Sequence, residues 1–471
     1  MKLTMRMDNN IDEEMCSISD HHEDMDYTKQ IADIRNFIRE NEQSLLDDWF
    51  RLIRQVSVSE TGEGVEECCD WIREKMEMLG LEVQKYDVRP FPVLVGRWGR
   101  DPKKKTILLY AHYDVKPAGD RSKWRIDPFQ PEVIEGKVYG RGSADNKSPL
   151  MAHLEAFAYF RNRGREVPVN LIFLFEGCEE SGSLGLPEFL EAHREELRAD
   201  LVFFSDGSKD PSGKPIIALG CKGCLSLTIR VKTMAKNVHS RYAPVLPSAA
   251  WELVELLSKL KQGDQVLVPG FYDGIRPLTQ KEREILEKLP SSEQELNEIY
   301  RAKPQNFGKS FYSRLFFRPT FNIQTVHSGA SGVVPAEAEA SIDIRLAPGQ
   351  NGTEVFEKIQ NYVAQLGYDN AEVVFDGCIP PSQTDVTTPY LPPIEELCSR
   401  IYGSYILYPC RPSSAPDYLW TDILKLPAIQ VRWSDADSDN HAPNEHLSIR
   451  EYFDGIVLTA CVFSAVAGIS D

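Results

Sequence analysis

Hydrophobic residues in the first half of the chain alternate between helical spacing and short continuous runs. Helical spacing predicts one helix around Ile31–Ile38 and another from Val65 to Leu79 that stops at Gly80, with further helices over Leu150–Phe160 and from Leu186. The continuous runs predict buried strands over Leu81–Val88, Val93–Trp98, Ile107–Tyr110, Val169–Phe175 and Leu201–Ser205. Residues 124–142 carry prolines and glycines and are predicted to form a loop. Helices between buried strands favour a mainly parallel sheet covered on both faces.

A different pattern begins after Gly220 and predicts a second domain. Its predicted strands are Leu225–Thr233, Phe321–His327, Glu337–Leu346 and Ala371–Phe375. Its predicted helices are Ser248–Leu260, with Trp251, Val254, Leu257 and Leu260 on one face, and Val355–Leu366, with Thr353 as N-cap. The order β-α-β-β-α-β predicts a ferredoxin-like α+β unit with an irregular insertion over residues 262–318.

The first pattern then returns, so the second domain is predicted to be inserted into the first. A helix over Pro393–Tyr402, a strand over Ala428–Trp433 and a closing helix follow, the last begun by a capping box of Ser448 and Glu451. The predicted fold class is α/β: a mainly parallel mixed sheet with helices on both faces plus an inserted ferredoxin-like domain. The predicted boundaries are a mobile tail over 1–26, a first part over 27–221, the inserted domain over 222–386 and a second part over 387–471.

Composition restricts the partners. The chain has 471 residues, 42% of them hydrophobic, and a net charge of −18, which disfavours nucleic acid and anionic membranes while leaving local anion binding open. No secretory signal and no apolar run of membrane-spanning length is visible. Ten scattered cysteines, with one isolated pair at Cys221 and Cys224, favour reduced thiols and a cytoplasmic location.

Candidate ligands stand where the predicted parallel strands end. They are His112, Asp114, Asp145, Glu179, Glu180, Asp206 and His441. Any one of them could be a solvated strand end or a helix cap. Because the carboxyl ends of parallel strands meet at one edge of a sheet, we expect all of them to lie together.

Two imidazoles and several carboxylates suit zinc, or manganese and cobalt, better than calcium or magnesium. His112 and Asp114 lie two residues apart, so that in an extended chain the carboxylate can fix the imidazole tautomer and leave the other nitrogen for a metal. A pair of metals needs a bridging carboxylate, a water between the ions and a base for that water. The adjacent Glu179 and Glu180 could divide two of these tasks between them.

The chain resembles the M20 family of metallopeptidases, which includes carboxypeptidases, dipeptidases, carnosinase-type enzymes and acyl-amino-acid deacylases. The matching motifs are His112-x-Asp114, Gly140-Arg-Gly-x-x-Asp145, Glu179-Glu180-x-Gly-Ser183, Asp206 and His441 within Asn440–Glu445. They occur in the family's order, and the similarity covers roughly residues 30–470. The resemblance implies a zinc-peptidase-like catalytic domain, an inserted lid domain and a site for two divalent metals, zinc or alternatively manganese or cobalt.

The resemblance also implies a role for each ligand candidate. His112 and Asp206 would hold one metal, Glu180 and His441 the other, and Asp145 would bridge them. Glu179 would be the general base for the bridging water, and Asp114 would orient His112. A cis peptide after Asp145 is a further implication of the family.

Three lid and loop residues are implied to contact substrate. His239 resembles the family histidine that reaches the partner subunit's active site in a dimer and stabilises the oxyanion there. Arg345 resembles the arginine that holds a substrate carboxylate. The alternatives are a surface histidine and a solvated strand residue. Where dipeptidase-like members have a Gly-Gly-Ser turn, this chain has Pro412-Ser-Ser-Ala-Pro416, in which Ser414 is the candidate contact.

The expected function is hydrolysis of the peptide bond of dipeptides or short peptides with a free carboxylate, by a homodimer paired through its lids. Deacylation of N-acyl amino acids at the same site is the alternative. A non-catalytic scaffold of the same fold would have lost Glu179 or several ligands, and none is lost here.

Overall fold

The structure is a computed structural model that describes residues 27–290, 292–303 and 306–469, so the predicted tail over 1–26 lies outside the described residues. The α-helices are α1 (Tyr27–Arg54), α2 (Val65–Met78), α3 (Lys147–Asn162), α4 (Leu186–Ala192), α5 (Ala249–Leu260), α6 (Gln280–Lys288), α7 (Glu293–Ile299), α8 (Phe311–Phe317), α9 (Gly352–Gln365), α10 (Leu391–Tyr402) and α11 (Ile449–Ala467). Among these described residues, no helix has both the length and the apolar character needed to cross a bilayer.

The strands of the first half are β1 (Glu82–Tyr86), β2 (Val93–Trp98), β3 (Thr106–His112), β4 (Glu132–Ile134), β5 (Lys137–Tyr139), β6 (Asn170–Glu176), β7 (Leu201–Phe204), β8 (Ile216–Ala218), β9 (Gly220–Cys221) and β10 (Gly223–Lys232). Those of the second half are β11 (Val238–His239), β12 (Lys261–Gln262), β13 (Gln265–Val266), β14 (Asn322–Ser328), β15 (Val333–Val334), β16 (Glu337–Leu346), β17 (Ala371–Ile379), β18 (Ser382–Gln383), β19 (Ile406–Tyr408), β20 (Ala428–Arg432) and β21 (His446–Ser448).

An eight-stranded sheet forms the larger part of the fold, in the order β1-β2-β6-β3-β7-β20-β8-β19. Its central strands β6, β3, β7 and β20 are parallel, and the outer pairings are mixed. Strand β3 is buried on both faces: Ile107 and Leu109 belong to the core beneath α1, α3 and α11, whereas Leu108 and Tyr110 belong to the core beneath α4. Parallel central strands with helices on both faces confirm the predicted α/β class. The continuous apolar runs indicated this arrangement, because a strand that is covered on both faces has apolar side chains on both of them.

A separate four-stranded antiparallel sheet has the order β14-β16-β10-β17. Helices α5 and α9 cover one face, and their apolar side chains form a core with alternate residues of β10 and β16. The ferredoxin-like arrangement predicted from the β-α-β-β-α-β order is therefore confirmed. We call residues of this sheet, its helices and the insertion between them the lid; its boundaries at 222 and 386 stay a prediction.

Several local predictions are wrong. Helix α5 buries Leu257 and Leu260 as predicted, but it leaves Trp251 69% and Val254 50% exposed and buries Leu253 and Leu256 instead. Helix α9 is capped by Asn351, whose side chain accepts the first free amides, and not by Thr353. No capping box forms at α11 because tertiary contacts take both side chains: Ser448 bonds Asp435, and Glu451 pairs with Lys209. The region predicted as a loop over 124–142 contains the hairpin of β4 and β5.

The insertion over 262–318 is less irregular than expected, since it contains α6, α7 and α8. Its apolar residues Leu286, Tyr312 and Phe316 pack with Cys410 and Tyr408, which follow the lid in the chain. The rings of Phe316 and Tyr408 are 4.9 Å apart. The insertion thus fastens the lid to the segment that leads into the Pro412–Pro416 turn.

Candidate active site

The predicted ligand candidates lie together at the carboxyl edge of the large sheet. His112 is the last residue of β3, and Asp206 follows the end of β7. Glu179 and Glu180 form a short 3-10 turn after β6, and His441 lies in the loop after β20. Because β6, β3, β7 and β20 are neighbouring parallel strands, their ends place these side chains side by side.

Asp145 joins two groups of ligand atoms. Its Oδ1 lies 3.1 Å from Nε2 of His112, and its Oδ2 lies 3.2 Å from Nε2 of His441. One group consists of His112, Asp145 and Asp206, and the other of Asp145, Glu180 and His441; within each, the ligand atoms lie within 4.8 Å of one another. The peptide bond between Asp145 and Asn146 is cis, as the resemblance implied.

These donors fit two divalent cations. Each group combines an imidazole nitrogen with carboxylate oxygens, which suits zinc, manganese or cobalt. The shared carboxylate has one oxygen facing each group, which is the arrangement that a bridging ligand needs. The structure therefore provides candidate ligands for a dinuclear site, without fixing which metal it takes.

Asp114 is more central to the site than predicted. It is fully buried, and Nδ1 of His112 lies 3.1 Å from its carbonyl oxygen and 3.3 Å from its Oδ1, as expected for a residue that orients the ring. The same carboxylate also accepts the backbone amide of Glu179 at 3.1 Å and that of Glu180 at 3.0 Å. One side chain thus positions a ligand candidate on β3 and the turn that carries the predicted base.

Glu445 holds the loop that carries Asp145, and nothing in the sequence patterns singled it out. It is completely buried and accepts hydrogen bonds from the amides of Gly142, Ala144 and Asp145 at 2.9 to 3.0 Å. Arg141 donates to it at 2.7 Å. The residue was visible only as the last letter of the Asn440–Glu445 motif, because its bonds join segments that are distant in sequence.

Two further polar residues tie the site together. Lys116 donates to the Glu180 carbonyl, and its Nζ lies 3.4 Å from Oε2 of the same residue. Asn440 donates to Oδ2 of Asp145 at 3.4 Å.

Gly142 adopts a φ of +85°, and a Cβ there would lie 2.9 Å from Val115 and 3.0 Å from Lys147, so only glycine fits this turn.

Burial and crowding of charge shift the titration of the metal-free site. Burial, together with the carboxylates of Asp206 and Asp145, raises the pKa of Glu179 well above its ordinary value despite the opposing effect of His112. Hydrogen bonds to Asp145 and Glu180 raise the pKa of His441 to about 10. Bound cations would act in the opposite direction on both groups, since positive charge favours a carboxylate and a neutral imidazole.

The predicted carboxylate-binding residues also meet. Nη1 of Arg345 donates to Oγ of Ser414 at 2.9 Å, and Nε donates to Asp343 at 3.2 Å. Nη2 makes no hydrogen bond within the described part of the chain, so it remains available for a ligand. His239 is exposed and accepts the Arg241 amide through Nδ1, and among the described residues it belongs to neither ligand group of its own chain.

Comparison with known proteins agrees with this geometry. The model of "Peptidase family M20/M25/M40" matches residues 108–465. The Cys-Gly metallodipeptidase DUG1 of Candida albicans is 32% identical over 315 residues, which are 63% of this chain and 65% of that relative, slightly less than two thirds of its length. The human Beta-Ala-His dipeptidase is 27% identical over 427 residues, 83% of each protein.

The fold is shared with a solved member of the same family. The M20 family metallo-carboxypeptidase Sso-CP2 from Sulfolobus solfataricus superposes with a TM-score of 0.78 at 30% identity, covering 90% of this chain and 99% of that one. The family model alone spans most of the chain, including every ligand candidate. The chain belongs to peptidase family M20/M25/M40.

Proposed function

We propose that the protein is a two-metal hydrolase that cleaves the peptide bond of dipeptides or short peptides beside their free carboxylate. The observation that carries this proposal is the position of Glu179 beside two ligand groups that share Asp145: its Oε2 lies 3.8 Å from Nε2 of His112. The side chain is 22% exposed, so a water and a substrate can reach it. Relatives named as dipeptidases and a metallo-carboxypeptidase support the same reaction class.

Each residue of the site has a task in this proposal. His112 and Asp206 would hold one cation, Glu180 and His441 the other, and Asp145 both. Bound there, the two cations would acidify water and polarise the substrate carbonyl. Glu179 takes a proton from the attacking water and passes it to the leaving amine, which requires a carboxylate held in place but not bound to a cation. The backbone N–H groups of Glu179 and Glu180 donate hydrogen bonds to the Asp114 carboxylate, which fixes the turn from which the two side chains take up their separate tasks.

Arg345 and Ser414 would hold the substrate carboxylate. The free Nη2 of Arg345 and the Ser414 hydroxyl, bonded to Nη1 of the same arginine, form a pair of donors between the lid and the catalytic part. A guanidinium matches the geometry of a carboxylate, which explains the requirement for a free carboxyl end. The Ser414 side chain would replace donors that a Gly-Gly-Ser turn supplies in other members.

We propose zinc as the metal, with manganese and cobalt as alternatives, because of the imidazole and carboxylate donors. We propose a homodimer paired through the lids, in which His239 reaches the partner's site. Support comes from the edge strand β14, which is exposed along its whole length, and from the exposed Trp251 and Val254 on α5 of the same lid. A cytoplasmic location is consistent with nine unpaired cysteines among the described residues.

The test is a substrate panel with metal-free protein reloaded with zinc, manganese or cobalt. Hydrolysis of at least one of the dipeptides Cys-Gly, β-Ala-His, Ala-Ala and Ala-Glu at a rate well above that of N-acetylalanine is expected. Faster hydrolysis of N-acetylalanine would make the protein a deacylase, and no hydrolysis of any of them would overturn the proposal. Glu179→Gln should bind metal normally and lose activity by at least about a thousandfold. Glu188→Gln, an exposed change on α4, is the matched control.

A further inference from the structure

A cavity of about 530 Å³ opens in the lid beside Arg345. Asp343 and Arg345 of β16 form one wall, and Thr320 and Asn322 lie at the start of the neighbouring strand β14. The insertion supplies the opposite wall through α8 and the residues before it. The cavity therefore begins at the side chain that would hold the substrate carboxylate and extends away into the lid.

The lining of this cavity is positively charged in a protein that is strongly acidic overall. Its cations are Lys261, Arg314, Arg318 and Arg345, and its only carboxylates among the described residues are Asp264 and Asp343. The whole chain carries a net charge of −18, so four cations against two acids is a local reversal. Such a reversal raises the local concentration of anions.

The two carboxylates do not neutralise the four cations. Asp264 forms ion pairs with both Arg314 and Arg318, the latter at 3.0 Å, and its side chain is 67% exposed to solvent. Asp343 pairs with Nε of Arg345 at 3.2 Å. Lys261 donates to the neutral carbonyl of Phe321 at 3.0 Å, which satisfies a donor without compensating its charge.

Apolar surface limits what kind of anion fits. Phe307, Phe311 and Leu315 line the cavity together with the cations, and the Phe307 ring lies 4.3 Å from the Arg314 guanidinium. Methylene groups can pack on such walls while a terminal carboxylate meets the cations. A short acidic side chain satisfies both conditions, whereas a lysine or arginine side chain would be repelled.

We propose that this cavity receives the side chain of the residue whose α-carboxylate is held by Arg345, and that it selects a second carboxylate there. Substrates would then be peptides that end in aspartate or glutamate. Both groups branch from one Cα atom, so a side chain beside a carboxylate held by Arg345 lies within reach of the adjoining cavity. This inference rests on the proposed hydrolytic function, but it concerns selectivity and not the reaction.

Ala-Glu and Ala-Gln test the proposal because they have nearly the same shape and differ in one charge. We expect kcat/KM of the metal-loaded enzyme to be about tenfold higher for Ala-Glu. Calorimetric titration of the inactive Glu179→Gln protein with the same dipeptides should show the same order of affinity, which separates selectivity from catalysis. If neither dipeptide is hydrolysed but Ala-Glu binds more tightly, the proposed function fails and the cavity's selectivity stands.

Two charge changes in opposite directions make the test specific. Arg318→Gln should reduce the Ala-Glu to Ala-Gln ratio severalfold, and Asp264→Asn should increase it. A loss of folded protein lowers kcat/KM for both dipeptides equally and leaves their ratio unchanged, so Asp264→Asn remains informative if Arg318→Gln fails to fold. The control is Arg230→Gln, which removes an exposed cation from β10 outside the cavity and should leave the ratio unchanged. Equal binding and turnover of the two dipeptides, a preference for Ala-Phe over Ala-Glu, or a ratio that none of these changes moves would overturn the proposal.

Discussion

The carboxylate of Asp114 accepts the backbone amide of Glu179 at 3.1 Å. This bond connects the end of β3 to the turn after β6, and the same carboxylate contacts the ring of His112. The residue that orients a predicted ligand thus also fixes the residue that we propose as the base. Replacing Asp114 should therefore lower both the affinity for metal and the rate of proton transfer.

We expect Asp114→Asn to lower metal affinity and kcat by about 10–100-fold each while the protein stays folded. An asparagine offers one acceptor where the wild type offers two, and its amide group opposes one of the two backbone N–H groups. Metal titration and steady-state kinetics measure the two effects, and circular dichroism monitors the fold. The exposed change Asp87→Asn is the control. Normal metal affinity together with normal kcat would show that Asp114 is dispensable.

Glu445→Gln should destabilise the metal-free protein by about 3 kcal/mol, because it leaves the buried guanidinium of Arg141 without its counter-charge. Urea denaturation of the metal-free protein measures this directly. Glu339→Gln breaks an exposed pair with Arg230 and should cost less than about 1 kcal/mol. Equal stability losses in the two variants would contradict the role given to Glu445.

His153 should make stability depend on pH. Burial lowers its pKa to about 3, and its Nε2 has no hydrogen-bond partner in the part of the chain that the structure describes. As pH falls below the ordinary histidine pKa of about 6.5, His153 becomes protonated in the unfolded chain but stays neutral in the folded protein. The free energy of unfolding therefore decreases. From pH 6.5 to pH 5 this amounts to about 2 kcal/mol.

The measurement is the unfolding free energy of metal-free protein across that range. His153→Gln should lose about 2 kcal/mol less than the wild type between the two pH values, whatever its absolute stability. His327→Gln alters an exposed histidine of β14 and should keep the wild-type slope. Identical slopes for all three proteins would mean that His153 is protonated in the folded state.

Trp251→Glu should convert the proposed dimer to monomers and reduce activity with it. The indole is 69% exposed in a single chain, and a charge placed in a lid interface cannot be buried cheaply. Sedimentation at several concentrations gives the oligomeric state, and assays at the same concentrations give the activity. Met78→Glu, a change at a side chain that is 77% exposed on α2, is the control. A fully active monomer would rule out catalysis by His239 across subunits.

Sequence patterns predicted the elements whose environment is simple. Strand β2 and strand β16 have the predicted bounds, because a continuous or alternating run reports directly which faces are buried. The hairpin of β4 and β5 was missed because each strand has three residues, too few to show a period. Its turn residues Glu135 and Gly136 both have positive φ. Glutamate is uncommon at such a position, so the sequence gives no clear signal for a hairpin turn there.

The candidate site was predicted from its side chains. The hydrogen bonds by which Asp114 and Glu445 hold backbone amides of the site were not predicted. His112, Asp145, Glu180, Asp206 and His441 could be placed at one edge because strand ends are visible in the sequence. The amide acceptors Asp114 and Glu445 act between segments that only the folded chain brings together. Trp251 and Val254 were assigned to the buried face of α5 because both are apolar, and a sequence pattern cannot distinguish an apolar core residue from an exposed apolar one.

Strand β20 lies between β7 and β8 in the centre of the large sheet, although it follows the whole lid in the chain. During synthesis on the ribosome, the edge of β7 that pairs with β20 therefore stays unpaired until the complete lid has been made. The residues of β7 are apolar and buried in the finished sheet, so an unpaired β7 edge exposes the nascent first half to pairing with the wrong strand. The two candidate ligand groups at the carboxyl edge of the sheet can therefore form only after the lid has been made, and chains truncated before β20 should be more prone to aggregation than the full chain.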